Sequence, residues 1–418
     1  MQVRCKMGQI LRNGGRNMRR LLALLTAFVL FAGLAGCGAA EPEPELAPDG
    51  RRILTLGLVN TVLEARTLVS LFNAQSGEYK VEIVEYKYGG SGSTPDDLTL
   101  ELATGDAPDI LVTETDKSFE GAQTSGLFVE LSGLLDELAP ELVPCMYEAL
   151  RAQDAVYALP FEFGVWTFLT QPSRVDGRES LTMEEAEQCA AQLGEGAKVF
   201  QQWMTRTELF KRVVSFAAGK YIDWETASCD FESEGFLGLL ELCMGQRADD
   251  SPYPEVQLCL LESYLLTAEN WFGGGIQLAC GEDYCFMGFP GQADGAQGWL
   301  TPGMCFCATA AGDTEGAMEF LRFVLGQKAQ EQCESFPMLQ SELDGRQETA
   351  VLTGLHMQSD AEKLNGLLGS GLASENCPQA VTSMLIEEAQ AYFAGDCTLE
   401  TAAARMQDRV STYLAEHS

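Results

Sequence analysis

The sequence predicts an α/β protein made of two interleaved lobes, and three observations lead there. Short apolar runs alternate with helical patterns of 10–15 residues between 53 and 112, the grammar of βαβ units and a parallel sheet. The same grammar returns after Cys285, following a middle stretch, 175–275, that reads as mostly helical and poor in β signals. The chain is 418 residues long, more than one core usually supports, yet no linker or repeat interrupts it after residue 50. The lobes must therefore share the chain by crossing it more than once.

Ile53–Val59 is the first buried strand, and Val62 to Ser76 sets Val62, Ala65, Leu68, Val69 and Phe72 at helical spacing. Val81–Tyr86 is the second strand. Thr94-Pro95-Asp96-Asp97 then supplies an N-cap, a proline at the first helical position and acids in the first turn, with Gly105 as the stop. Asp109–Val112 is the third strand and Cys285–Phe289 a later one. Thr314 caps a helix carrying Ala317, Phe320, Leu321, Val324 and Leu325 up to Gly326. Two helices close the chain, from Pro378 to Gly395 and from Leu399 onward.

The N-terminus reads as an address. Residues 1–36 hold six basic residues and no acidic one, and Leu21–Gly36 is apolar except for Thr26. Sixteen residues is shorter than the roughly 20 of a spanning helix and fits a secretory h-region. Leu34-Ala35-Gly36-Cys37 resembles a bacterial lipobox, which implies cleavage before a lipid-modified Cys37; Met18 is an alternative start to Met1. Residues 37–50, rich in proline and acids, form a tether. The expected location is extracytoplasmic, held at the membrane by that lipid alone.

Composition excludes several classes. With 61 acidic against 27 basic residues the net charge is -34, or -40 once the leader is removed, which opposes nucleic-acid binding. His356 and His417 are the only histidines, so His-rich zinc sites and paired-His chemistry are out; no cofactor or metal is expected. Twelve cysteines remain in the body, with no Cys-x-x-Cys; one or two disulfides at most are expected, or none in a strict anaerobe. Neither Gly-x-Ser-x-Gly nor His-Glu-x-x-His occurs, and Gly273–Gly275 lacks the Lys-Ser/Thr of a phosphate loop. The chain is not expected to be an enzyme.

Four segments carry a family resemblance. They are Leu71-Phe72-Asn73 with the strand Tyr79–Tyr86; Leu102-Ala103-Thr104-Gly105-Asp106-Ala107-Pro108-Asp109-Ile110; Tyr157-Ala158-Leu159-Pro160-Phe161; and Glu315–Leu325 followed by Phe336-Pro337. Together they resemble the family 1 extracellular solute-binding proteins of ABC importers, the group of maltose- and oligosaccharide-binding proteins. The family's Tyr-Asn pair after the first crossing is replaced by Phe168-Leu169-Thr170-Gln171.

The resemblance implies a two-lobed, type II periplasmic-binding-protein-like fold with a hinge. Lobe I would be 51–160 plus about 290–337, and lobe II about 161–289 plus 338–418. It implies capture of a small polar ligand, a carbohydrate or oligosaccharide above others, by lobe closure, and delivery to ABC permease subunits. A ligand-sensing or ligand-free signalling lipoprotein is the second reading, and a two-carboxylate glycosidase the third.

Ligands of open α/β sheets lie beyond the carboxyl ends of strands, which selects Asn60 and Glu64 after the first strand and Thr115 and Asp116 after the third. Sugars present apolar C–H faces that stack on rings, which selects Trp166, Trp271 and Trp299. Glu162, beside the first crossing, is the candidate polar anchor.

Overall fold

The computed structural model describes residues 45–417 except 60–62, 88–92, 114–124, 202–203, 225, 253–257, 277–280, 282, 292–296, 371–372 and 375–376. Cys37, Asn60, Thr115 and Asp116 lie outside the described residues. The chain divides after Ile53. Of the first part, residues 45–53 are described; they form a turn in which Ala47 N–H donates to Arg51 O at 2.8 Å.

The strands, in order, are β1 (Arg52–Val59), β2 (Tyr79–Tyr86), β3 (Ile110–Thr113), β4 (Leu159–Thr170), β5 (Lys198–Phe200), β6 (Ile222–Asp223), β7 (Ser228–Cys229), β8 (Cys259–Leu266), β9 (Cys285–Met287), β10 (Gly298–Ala308), β11 (Phe336–Pro337) and β12 (Ala373–Ser374). One sheet runs β2-β1-β3-β10-β4-β8-β5, with β9 and β11 also on β4 and β12 on β10. The sheet is mixed rather than parallel as expected. β1 pairs with β3 in parallel, but β10 runs antiparallel to both β3 and β4, and β4 antiparallel to β8. Returning crossings make this necessary, because a strand that leads the chain back between lobes points the other way.

The first βαβ segment follows the sequence closely. The helix Leu63–Gln75 buries Ala65, Leu68, Val69 and Phe72, and the next helix, Pro95–Thr104, is closed at both ends by its own residues. Thr94 and Asp97 form a reciprocal capping box, and Gly105 takes the left-handed conformation, φ 81°. Asp109 then fastens three segments together. Its Oδ2 accepts from the backbone N–H (2.6 Å) and hydroxyl (2.7 Å) of Thr55 on β1, and its Oδ1 from Asp313 N–H at 2.7 Å. The later helix, Thr314–Val324, is capped by the Asp313 side chain, which accepts from Gly316 N–H, one residue earlier than expected. Gly316 is needed there: a Cβ on it would stand 2.5 Å from Leu54 and 2.6 Å from Tyr79.

The middle stretch departs from expectation. The helices Met183–Leu193, Arg206–Tyr221 and Glu234–Met244 are present, but so is the eight-residue β8. Its sequence, Cys-Leu-Leu-Glu-Ser-Tyr-Leu-Leu, is a buried run without alternation, which periodicity cannot separate from a helix. Lying between β4 and β5, it is covered on both faces.

Three apolar clusters form the interior. The largest collects the faces of β1 and β3 with Phe161, Phe163, Val165, Phe306, Phe320 and Trp271. The second gathers Phe168, Phe200, Phe210, Phe236, Leu261 and Trp299 with the C-terminal helices Gln379–Ala394 and Leu399–His417. The third is smaller, with Tyr86, Leu98, Leu111, Cys305 and Cys307. From residues 338–418, Leu343, Ala350, Leu364 and Leu367 enter the first cluster, whereas Val381, Leu385, Met406 and Val410 enter the second. Every described body cysteine is a free thiol. No described helix is long and apolar enough to cross a membrane.

Candidate functional site

The two long strands β4 and β10 lie side by side with a constant register, from Gly298 opposite Thr167 to Phe306 opposite Leu159. Side chains alternate along them, so each face can be followed separately. On one face Phe161, Phe163, Val165 and Leu169 of β4 and Leu300, Met304 and Phe306 of β10 join a single unbroken cluster.

The other face is interrupted. At one end Cys305 and Cys307 belong to the third cluster, and at the other Phe168 and Trp299 belong to the second. Between them stand Glu162 opposite Gly303 and Gly164 opposite Thr301. These are small or polar, and a cavity of about 280 Å³ opens over them. Thr267 and Glu269, at the start of the helix Ala268–Phe272, and Glu334 and Ser335, just before β11, complete its lining.

Glu162 is held in place from below. Its Oε2 accepts from Ser335 N–H at 3.0 Å and from the Cys333 thiol at 3.3 Å. Burial, with the Glu162 charge beside it, pushes the Cys333 thiol up, so the sulfur keeps its proton and donates. Because β11 pairs with Phe163 and Glu162, this carboxylate ties the third crossing segment to the first. Its Oε1 has no hydrogen-bond partner among the described residues and would lie 3.7 Å from a Cβ on Gly303. Glu162, Glu269 and Glu334 make the lining acidic; no lysine or arginine is among its residues. Such a lining offers acceptors to hydroxyl or cationic donors.

β10 is least regular at this point. Pro302 removes a ladder donor, and Met304 has φ 40°, a left-handed conformation that costs a non-glycine residue of order 1–3 kcal/mol.

The remaining candidates are divided. Trp166, partly buried, follows Gly164 on the cavity's face of β4, but its ring is already covered: the Arg212 guanidinium carbon sits 3.4 Å from the ring centre. Trp271 and Trp299 are core residues and present no open face. Trp271 is fully buried and stacked on His356 at 4.0 Å, while Trp299 meets Phe168 edge-on at 6.2 Å. Glu64 is partly buried in the first turn of Leu63–Gln75 and does not line this cavity. Thr301, Gly303, Thr267, Glu269, Glu334 and Ser335 escaped the sequence reading. They come from three distant segments, and only the register of β4, β10 and β11 assembles them. No group of three or more metal-ligating side chains is present among the described residues.

No family model matches the chain, and no curated protein matches it in sequence. Solved structures do. The sugar-binding protein MalE from Xanthomonas citri superposes with a TM-score of 0.62 at 13% identity, covering 87% of this chain and 98% of that one. An ABC transporter solute-binding protein from Thermotoga lettingae, bound with α-D-tagatose, gives 0.59 at 15% identity, covering 87% and 99%. An extracellular solute-binding protein of family 1 from Alicyclobacillus acidocaldarius gives 0.58 at 12%, covering 87% and 98%.

The chain has the fold of the ABC solute-binding proteins. In a solute-binding fold, β4, β10 and β11 are the segments that cross between lobes. The 280 Å³ cavity therefore lies where the crossing segments meet.

Proposed function

We propose that this protein is an extracytoplasmic solute-binding protein, anchored by lipid on Cys37, that captures a carbohydrate or oligosaccharide and hands it to an ABC permease. The observation that supports it is the interrupted face of β4 and β10. One side of the crossing strands is sealed by a continuous core, whereas the other opens on a polar cavity between two separate cores. Two bodies joined by such a strand pair can close on a ligand if the ligand binds the closed arrangement better than the open one. The lobes follow the clusters, with the division at the interrupted stretch of β4 and β10.

Glu162 is the polar anchor in this reading. Its Oε1 accepts from ligand hydroxyls, assisted by Thr267, Glu269, Thr301 and Ser335. Trp166 contributes its edge rather than its face. Asn60, Glu64, Thr115 and Asp116, selected from sequence, supply the wall after β1 and β3. The protein acts by binding and shape, not by catalysis.

The test is melting temperature against a panel of oligosaccharides, peptides and polyamines. A carbohydrate at about 100 times its Kd should add roughly 2.7 kcal/mol, a shift of a few degrees. A saturable shift by a peptide or polyamine alone would overturn the carbohydrate assignment.

Two substitutions place the site. Glu162→Ala is expected to weaken carbohydrate binding about 10- to 100-fold, the loss of one charge-assisted hydrogen bond. Gly303→Val is expected to abolish the ligand-induced shift while leaving the ligand-free melting temperature nearly unchanged, since a Cβ there meets only Glu162, at 3.5 Å. Calorimetric titration of both variants reads the affinity directly.

A further inference from the structure

Behind the helix Ala268–Phe272 lies a buried polar cluster that ligand capture does not use. Trp271 on this helix and Tyr284 just before β9 are fully buried, and His356 and Asp360 are each 4% exposed. His356 Nε2 lies 2.5 Å from the Trp271 carbonyl oxygen, which can only accept, so that nitrogen carries a proton. Asp360 Oδ2 accepts from Met357 N–H at 3.0 Å and lies 3.7 Å from His356 Nδ1. Lys363 stands above the Tyr284 ring at 4.2 Å and 3.7 Å from Asp360 Oδ1, too far for a hydrogen bond.

Three polar atoms in this cluster are buried without a hydrogen-bond partner among the described residues: Trp271 Nε1, Tyr284 Oη and Asp360 Oδ1. They belong to one neighbourhood. Burial pushes the Tyr284 phenol up, the Asp360 carboxylate pushes it further, and the Trp271 N–H pulls it back, so both groups act on the same hydroxyl. Each is close enough to be felt and too far to bond directly.

Leaving three such groups unsatisfied would cost about 1–3 kcal/mol each. Their chemistry specifies what joins them. An N–H needs an acceptor, a carboxylate oxygen needs a donor, and a hydroxyl takes either role. A cation is disfavoured by the Trp271 N–H and the Lys363 ammonium, and an anion by the Asp360 carboxylate.

We propose that one internal water, accepting from Trp271 Nε1–H, donating to Asp360 Oδ1 and bonded to Tyr284 Oη, completes this network. Three bonds is the usual complement of a buried water. The network fastens the helix that bears Thr267 and Glu269 to the helix Gln358–Leu368, and so holds one wall of the cavity rigid.

A crystal structure of the protein that resolves ordered solvent tests this. The expected result is a single peak about 2.7–3.2 Å from all three atoms. A direct Tyr284–Asp360 hydrogen bond with no peak, or a peak whose anomalous signal marks an ion, would overturn it. In solution, Tyr284→Phe is expected to lower the melting temperature by a few degrees through loss of one of the water's partners, with a displaced or weakened peak in its crystal structure. An unchanged peak and melting temperature in that variant would exclude the hydroxyl from the network. Neither measurement depends on which solute the cleft takes.

Discussion

Trp271→Ala is expected to lower the free energy of unfolding by about 3–5 kcal/mol, the cost of deleting a large aromatic from a packed core. The indole is fully buried, stacks on His356 at 4.0 Å and meets Phe272 edge-on at 4.8 Å. Its removal leaves a cavity that β4, β8 and the helix Ala268–Phe272 cannot fill without moving, and it strips His356 of its stacking partner. Urea unfolding followed by circular dichroism reads the effect as a lower midpoint at nearly unchanged slope. The opposite pattern, an unchanged midpoint with lost ligand affinity, would mark Trp271 as a stacking surface for solute.

Asp109→Ala should be nearly as damaging, about 3–4 kcal/mol, although it deletes only a small polar side chain. Three donors, the N–H and hydroxyl of Thr55 and the N–H of Asp313, converge on this one carboxylate. Truncation orphans all three, and each buried unpaired group costs about 1–3 kcal/mol, less where water reaches it. Asp109→Asn keeps the shape and one acceptor oxygen, so it should lose roughly half as much. The pair of variants separates the acceptor role from simple packing; equal losses in the two would show that charge, rather than acceptor geometry, carries the interaction.

Asp109 also shows why part of the fold was legible. The segment Gly105-Asp106-Ala107-Pro108-Asp109 works through local rules: a glycine that ends a helix at φ 81°, and a proline that cannot continue it. Thr94 and Asp97 cap their helix within four residues, for the same reason. Such signals need no partner from elsewhere in the chain. Nor do the apolar spacings of Leu63–Gln75 and of the C-terminal helices, which match the buried positions observed.

The site was legible only in outline. Glu162 could be selected because it follows the crossing signal Leu159-Pro160-Phe161, and it does line the cavity. The tryptophans could not be sorted. An indole has the same composition whether it packs inside or faces solute, and the choice depends on what lies across the sheet. Trp299 sits opposite Trp166 in the β10–β4 register, yet one is buried against Phe168 and the other is covered by Arg212 from a helix more than forty residues further along.

Sequence by itself therefore determined the α/β class, the capped helices around Asp109, the acidic character and the crossing at Leu159–Phe161, because each rests on contacts within a few residues or on composition. Tertiary structure alone decided the antiparallel run of β10, the existence of β8 as a strand, the burial of Trp271 and Trp299, and the gathering of Glu162, Thr301, Gly303 and Ser335 around one cavity. Those outcomes depend on strand register between segments far apart in the chain, and a one-residue slip in register would turn every one of these side chains to the opposite face.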